Sequence, residues 1–148
     1  MFLLLIIPIV LLIILATQKS NLNNYISQQI KSQIEPEIME TIGKSIDSLY
    51  NYVDNGDLYE YTFLEFGAEG CSACKRMELV MDDIRAEYPN QIHVVFYNIL
   101  FPANVEMMKY YGISSIPTQI LLDSSGKEFF RHSGYYSKSE LLSHFISN

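Results

Sequence analysis

Tryptophan is absent from this chain, and cysteine occurs only twice, at Cys71 and Cys74. A secreted scaffold stapled by disulfides normally carries more cysteines, spread along its length, so that class is not expected. A purely structural bridge between these two would close a tiny loop and remove little unfolded-state entropy. Two cysteines also fall short of the four ligands a structural zinc usually takes, and His93, His132 and His144 lie far away with no ligand spacing. Basic residues are few: 10 Lys and Arg stand against 17 Asp and Glu, a formal charge of −7. That balance argues against nucleic acid, or an anionic membrane surface, as the main partner, since both need basic patches. The apolar content of 49% is ample for a packed core, and 148 residues hold one ordinary domain plus an appendage.

What is present begins with an apolar run from Phe2 to Ala16, interrupted only by Pro8. As a helix it would span about 22 Å, short of the ~30 Å hydrocarbon core of a bilayer. Two readings fit: an uncleaved membrane anchor over residues 1–18, taking in Thr17 and Gln18, or the core of a signal peptide. No Lys or Arg precedes the run and Ile14-Leu15-Ala16 offers no clean cleavage site, so an anchor is the expectation. Residues 19–53 are polar, with apolar residues at a step of four: Leu22, Ile26, Ile30, Ile34, Ile38, Ile42 and Ile46. Such a stripe rotates around an ideal helix by about 40° per step, so it is not a coiled-coil seam. Pro36 divides it. The first half reads as a stalk or linker helix and the second as a helix packed on the domain. Asp54-Asn55-Gly56-Asp57 reads as a turn cluster that ends the helices and opens a domain over residues 54–148.

Within that domain the pattern alternates. Tyr59 to Phe66 reads as a strand, and Ser72 to Tyr88 as a helix with Cys74, Met77, Met81, Ile84 and Tyr88 on one face. A strand over Ile92 to Tyr97 follows, then a short helix from Pro102 to Tyr111 closed by Gly112. Thr118 to Asp123 and Glu128 to His132 read as strands joined by the turn Ser124-Ser125-Gly126-Lys127. Ser137-Lys138-Ser139-Glu140 is a capping box opening a last helix. The order βαβαββα implies an α/β fold with a central mixed sheet flanked by helices.

A Cys-x-x-Cys directly after a strand, at the first turn of a helix, has a physical purpose. Cys71 would sit at the helix N-terminus, where unpaired amides and the helix dipole stabilise a thiolate. A lowered thiol pKa makes it a nucleophile near neutral pH. It attacks a substrate disulfide, and Cys74, one turn deeper, displaces the product and leaves the pair oxidised. Lys75 and Arg76 add positive potential, of small effect where exposed.

The segment Phe63-Leu64-Glu65-Phe66-Gly67-Ala68-Glu69-Gly70-Cys71-Ser72-Ala73-Cys74-Lys75 resembles the strand, active-site loop and helix start of the thioredoxin superfamily. Tyr111-Gly112-Ile113-Ser114-Ser115-Ile116-Pro117-Thr118 is similar to that family's segment around its cis-proline. Lys127 onward, through Gly134 and Ser137, looks like its closing hairpin and final helix. The resemblance covers roughly Tyr59 to Asn148. It implies a thioredoxin-like fold and a thiol-disulfide oxidoreductase acting on protein cysteines, with no cofactor beyond the Cys71–Cys74 disulfide. Pro117 is then the cis-proline facing the cysteines, and Ile116 offers backbone hydrogen bonds to an extended substrate. Gly70, beside Cys71, joins them in the substrate-binding surface. Glu65 falls where the family commonly places a buried acid beneath the second cysteine. Its two readings are a proton relay and a solvent-facing strand residue.

Two departures from the family pattern bear on function. Gly70 stands where cytosolic thioredoxins carry Trp, and Ser72-Ala73 replaces Gly-Pro between the cysteines. With an anchor and a stalk, the chain looks more like membrane-bound extracytoplasmic thiol-disulfide oxidoreductases of bacteria, several of which are reductases. The expectation is therefore a membrane-anchored chain whose domain lies outside the cytoplasm, in the periplasm or on the outer face. Lys19 and Lys31 after the apolar run, with nothing basic before it, favour the opposite orientation by the positive-inside rule. The implied partners are protein thiol or disulfide substrates, a membrane or soluble redox partner for recycling, and the membrane itself, with no nucleic acid. The direction of electron flow stays open. So does an alternative from another class, a non-catalytic thioredoxin-fold binding or assembly module tethered to the membrane.

Overall fold

Strand β1, Tyr61–Gly67, is covered on both faces and sits in the middle of the sheet, with six of its seven residues buried. The computed structural model describes residues 22–146, so the apolar run over residues 1–18 and its reading as an anchor lie outside them. Among the described residues no helix is long and apolar enough to cross a membrane. Upstream of β1 lie helix α1 over residues 22–31, α2 over Pro36–Tyr50 and a short α3 over Tyr52–Asn55. Downstream come α4 (Ser72–Glu87), β2 (Ile92–Asn98), a 3-10 turn (Pro102–Asn104), α5 (Val105–Tyr111), β3 (Thr118–Leu122), β4 (Glu128–Ser133) and α6 (Lys138–Ile146). The sheet has the order β2-β1-β3-β4, with β1 parallel to β2 and antiparallel to β3, and β3 antiparallel to β4. This is the mixed α/β sheet flanked by helices that the alternating pattern implies.

Because side chains alternate along a strand, β1 and β3 serve two cores at once. Leu64 and Phe66 with Ile120 and Leu122 meet Ile46, Tyr50, Tyr52 and Tyr111 from α2, α3 and α5. Phe63 and Leu121 meet Met77, Val80, Met81 and Ile84 of α4, and Leu141 and Phe145 of α6. Glu65 and Gln119 share the α4 face with Phe63 and Leu121.

The four-residue stripe behaves as its rotation requires. Ile34 and Ile46 are buried and Ile42 packs against the core, while Ile38 turns toward solvent. Packing therefore reaches upstream of residue 54 through α2. The turn cluster is partly helical: Asp54 and Asn55 complete α3, and the chain turns at Gly56, whose φ of 82° is left-handed. Strand β1 begins at Tyr61 rather than Tyr59, because the amides of Glu60 and Tyr61 both turn to the carbonyl of Gln91. The segment from Pro102 to Tyr111 is two pieces, a 3-10 turn running into α5.

Candidate active site

Helix α4 opens at the end of β1, and the residue at its N-cap is Cys71. A cap residue places its side-chain acceptor over the first free amides of the helix. Cys71 does this with sulfur: its Sγ accepts the backbone N–H of Cys74 at 3.2 Å. The two cysteines form a disulfide with their Cα atoms 5.2 Å apart. They differ in access: Cys71 is half-buried, while Cys74 is only 2% exposed. Gly70 precedes them with a φ of 84°, a left-handed conformation that glycine adopts without cost. Its residue type thus answers a backbone need, and Gly70 also lines an open cleft of about 290 Å³ beside Cys71, Ser72 and Lys75.

Pro117 approaches the same end of the sheet from β3. Phe66 pairs with Thr118 across β1 and β3, so continuing the register sets Pro117 opposite Gly67. A Cβ placed on Gly67 would lie 3.4 Å from the Cβ of Cys74. Gly67 thus lies under Cys74 with Pro117 beside it. The Ile116–Pro117 peptide is cis. The Gly134 amide donates to the Pro117 carbonyl at 2.8 Å, and the Thr118 hydroxyl donates to the Ser115 carbonyl at 2.7 Å. Pro117 is buried and Ile116 half-buried. The Tyr136 amide contacts Met77 Sδ at 3.4 Å, tying the loop after β4 to α4.

Glu65 is fully buried, at 0% exposure, which removes the solvent-facing reading of this residue. It lies two residues before Gly67 on the same face, so its Cα is about 7 Å from that of the glycine under Cys74. Among the described residues its carboxyl has one polar partner: Gln119 Nε2 donates to Oε2 at 3.0 Å and to Oε1 at 3.3 Å. Burial pushes the Glu65 pKa up to about 8, against the pull of the Gln119 amide, because a charged carboxylate loses its hydration there. Across β2 its Cα partner is Phe96, whose ring fills the space a side chain at Gly67 would need, 2.8 Å from that hypothetical Cβ.

Reasoning from the sequence missed Gln119. A lone amide in the otherwise apolar β3 run Ile120-Leu121-Leu122 was the available signal, since a buried polar side chain needs a partner. Arg76, expected to lend only potential, lies with its guanidinium carbon 4.4 Å from the centre of the exposed Tyr135 ring.

A solvent-reachable sulfur at a helix N-cap, bridged to a buried sulfur one turn on, defines a thiol-disulfide oxidoreductase. The chain belongs to the thioredoxin-like domain family, whose model matches residues 55–146. A thioredoxin of Chlamydia trachomatis serovar D is 34% identical over 79 residues, 53% of this chain and 74% of that one. A thioredoxin of Rickettsia felis is also 34% identical over 79 residues, 53% of this chain and 72% of its own. Among solved structures, the fold is similar to thioredoxin-2 of the malaria parasite, with a TM-score of 0.55 and 21% identity over 60% of this chain and 84% of that one. It is also similar to an exposed lipoprotein thioredoxin of Streptococcus pneumoniae, with a TM-score of 0.53 and 20% identity over 64% and 89% of the two chains. Protein thiols and disulfides are the substrates the family implies.

Proposed function

We infer that this protein is a reductase of protein disulfides, with Cys71 as attacking thiolate and Cys74 as resolving thiol. The observation that carries the assignment is the difference in access between the two sulfurs, joined to the N–H that Cys71 Sγ accepts. In the reduced protein that amide and the helix dipole favour a Cys71 thiolate. The thiolate attacks one sulfur of a substrate disulfide, forming a mixed disulfide and releasing the other substrate sulfur as a thiolate, which takes a proton from water. Cys74 then loses its proton and attacks Cys71 Sγ, breaking the mixed disulfide and releasing the second substrate sulfur as a thiolate, which takes a proton from water. The substrate gains two electrons and two protons, and the protein is left with the Cys71–Cys74 bond. The ionised fraction of Glu65 receives the Cys74 proton from beneath, and that fraction grows as the pH climbs toward its raised pKa. Ile116, Pro117 and Gly70 form the surface along which the substrate lies.

The apolar run over residues 1–18 anchors the chain, and the domain works outside the cytoplasm, recharged by a membrane or soluble electron donor. The apolar composition of the run, and the departures at Gly70 and Ser72-Ala73, support this reading.

After mild reduction at neutral pH, iodoacetamide labels Cys71 and leaves Cys74 unlabelled. Equal, slow labelling of both would overturn the assignment. The potential of the Cys71/Cys74 couple against glutathione tests the direction: a strongly reducing value fits a reductase, an oxidising one an oxidase. A C-terminal reporter fusion reads which side of the membrane the domain occupies.

A further inference from the structure

The Gln119 side chain is fully buried on the α4 face of the sheet, one strand from Glu65 and paired with it in register. Its amide nitrogen is used, donating to both carboxyl oxygens of Glu65. Its amide oxygen is not: Gln119 Oε1 is buried with no hydrogen-bond partner. A buried amide oxygen without a donor is costly, and native interiors rarely leave one. The carboxyl has the complementary need. An ionised Glu65 only accepts, and the amide N–H serves it. A protonated Glu65 carries an O–H that must find an acceptor, and the acceptor at hand is Gln119 Oε1. Resting on the redox reading above, we propose that Gln119 is the positioning residue of the relay. Its amide donates from Nε2 to ionised Glu65 and, after a half-turn about its last side-chain bond, accepts at Oε1 from protonated Glu65.

The surroundings favour this over a fixed contact. From α4, Cys74 and Met77 face this part of the sheet, and only the cysteine can titrate, once reduced. From β2 the neighbour is Phe96, which carries no charge. From β4, His132 is the Cα partner of Gln119 and its ring stacks on Tyr136, so the nearest ionisable group on that side lies one strand beyond the amide. No ion pair holds the Glu65 carboxylate among the described residues, so an amide is its sole hydrogen-bonding support. An apolar side chain at 119 would serve neither state. A charged one would lock one of them. An amide serves both, which a group that takes up and gives back a proton in each cycle requires.

The first test uses the wild-type full chain in its reduced state. The side-chain NH₂ resonances of Gln119 and the carboxyl carbon of Glu65 are followed by NMR from pH 5 to 10. The expected result is one shared midpoint, with the two amide protons changing shift as Glu65 ionises. Amide resonances that stay fixed while Glu65 titrates would overturn the proposal. The second test uses Gln119→Met, which keeps the length and removes both amide functions. Loss of a donor to the charged form should raise the Glu65 midpoint by about one to two pH units. At pH 7 the resolving step, read as decay of a preformed mixed disulfide, should slow by about tenfold and recover as the pH is raised. Alkylation of Cys71 should be unchanged. A folded variant with an unmoved Glu65 midpoint, or one slowed equally at every pH, would count against the role. Loss of selective Cys71 labelling in the wild type would instead sink the redox reading and leave the Gln119 titration standing.

Discussion

The Ser27 hydroxyl donates to the Gly112 carbonyl at 2.6 Å, joining residues 85 apart in sequence. Gly112 is the left-handed C-cap of α5, with a φ of 63°, and its residue starts the segment that leads to Pro117. A Cβ at Gly112 would stand 2.6 Å from the Ser27 carbonyl oxygen and about as close to the Lys31 side chain as contacts ever come, 3.0 Å. Helix α1 thus lies against the turn that feeds the site.

Gly112→Ala should therefore harm stability twice, through the positive φ and through collision with α1 backbone. The expected loss is about 2–3 kcal/mol, of which the conformation alone accounts for about 1–2. Ser27→Ala removes only the hydrogen bond and should cost about 1 kcal/mol. Urea unfolding measures both. Equal losses would mean that α1 does not crowd the turn, and limited proteolysis would then find α1 equally protected in the two variants.

Cys74→Ser and Cys71→Ser should fail in different ways. With Cys74 replaced, the accessible Cys71 still attacks a disulfide substrate but nothing resolves the product, so a mixed disulfide accumulates and appears as a mass adduct without reductant. With Cys71 replaced, Cys74 is too buried to attack, and no adduct forms. Adducts of similar yield from both variants would remove the distinction between the two roles.

The sheet and its helices were legible because patterns of period two and 3.6 are direct consequences of side-chain geometry. Strands, the α4 start at Ser72, the Gly112 stop and the Ser137–Glu140 box all carried local signals. In the structure the Ser137 amide donates to Glu140 Oε2 at 3.1 Å while the Glu140 amide contacts Ser137 Oγ at 3.4 Å. What no local signal carried was tertiary. The amides of Glu60 and Tyr61 turn to Gln91, a partner beyond α4 in sequence that shortens β1. The burial of Glu65 depends on which helix covers its face, and its partner Gln119 is 54 residues away. Glu65 was placed by resemblance, whereas Gln119 had none to lean on.

Tyr50 of α2 and Tyr97 of β2 share a hydroxyl–hydroxyl hydrogen bond of 2.7 Å. Both phenols have their pKa values raised by burial, so the pair stays neutral through the working range. Tyr97→Phe leaves the Tyr50 hydroxyl buried without its partner and should cost about 1–2 kcal/mol, as should Tyr50→Phe. The double variant should lose less than the two single losses added, since the second change strands nothing. Strict additivity in denaturant unfolding would show that α2 is not held to the sheet through this bond.

Glu65 makes the stability of the oxidised protein depend on pH, and the sign follows from its raised pKa. In the unfolded chain it ionises near 4.5, whereas in the folded protein it holds its proton to about 8. Below pH 4.5 it is protonated in both states and takes nothing from stability. Between those values the unfolded carboxyl is ionised and the folded one is not, so folding takes up a proton and weakens as the pH rises. Above about pH 8 the loss is complete, and at about 1.4 kcal/mol per pH unit it reaches a few kcal/mol. Glu65→Gln cannot ionise, and its amide can pair with that of Gln119. The variant should match the wild type in urea midpoint at pH 4 and exceed it increasingly at pH 6 and pH 8. A difference between the two that does not change with pH would mean that folding leaves the Glu65 pKa where it stands in the unfolded chain, and Glu65 would then be too weak a base to take the Cys74 proton.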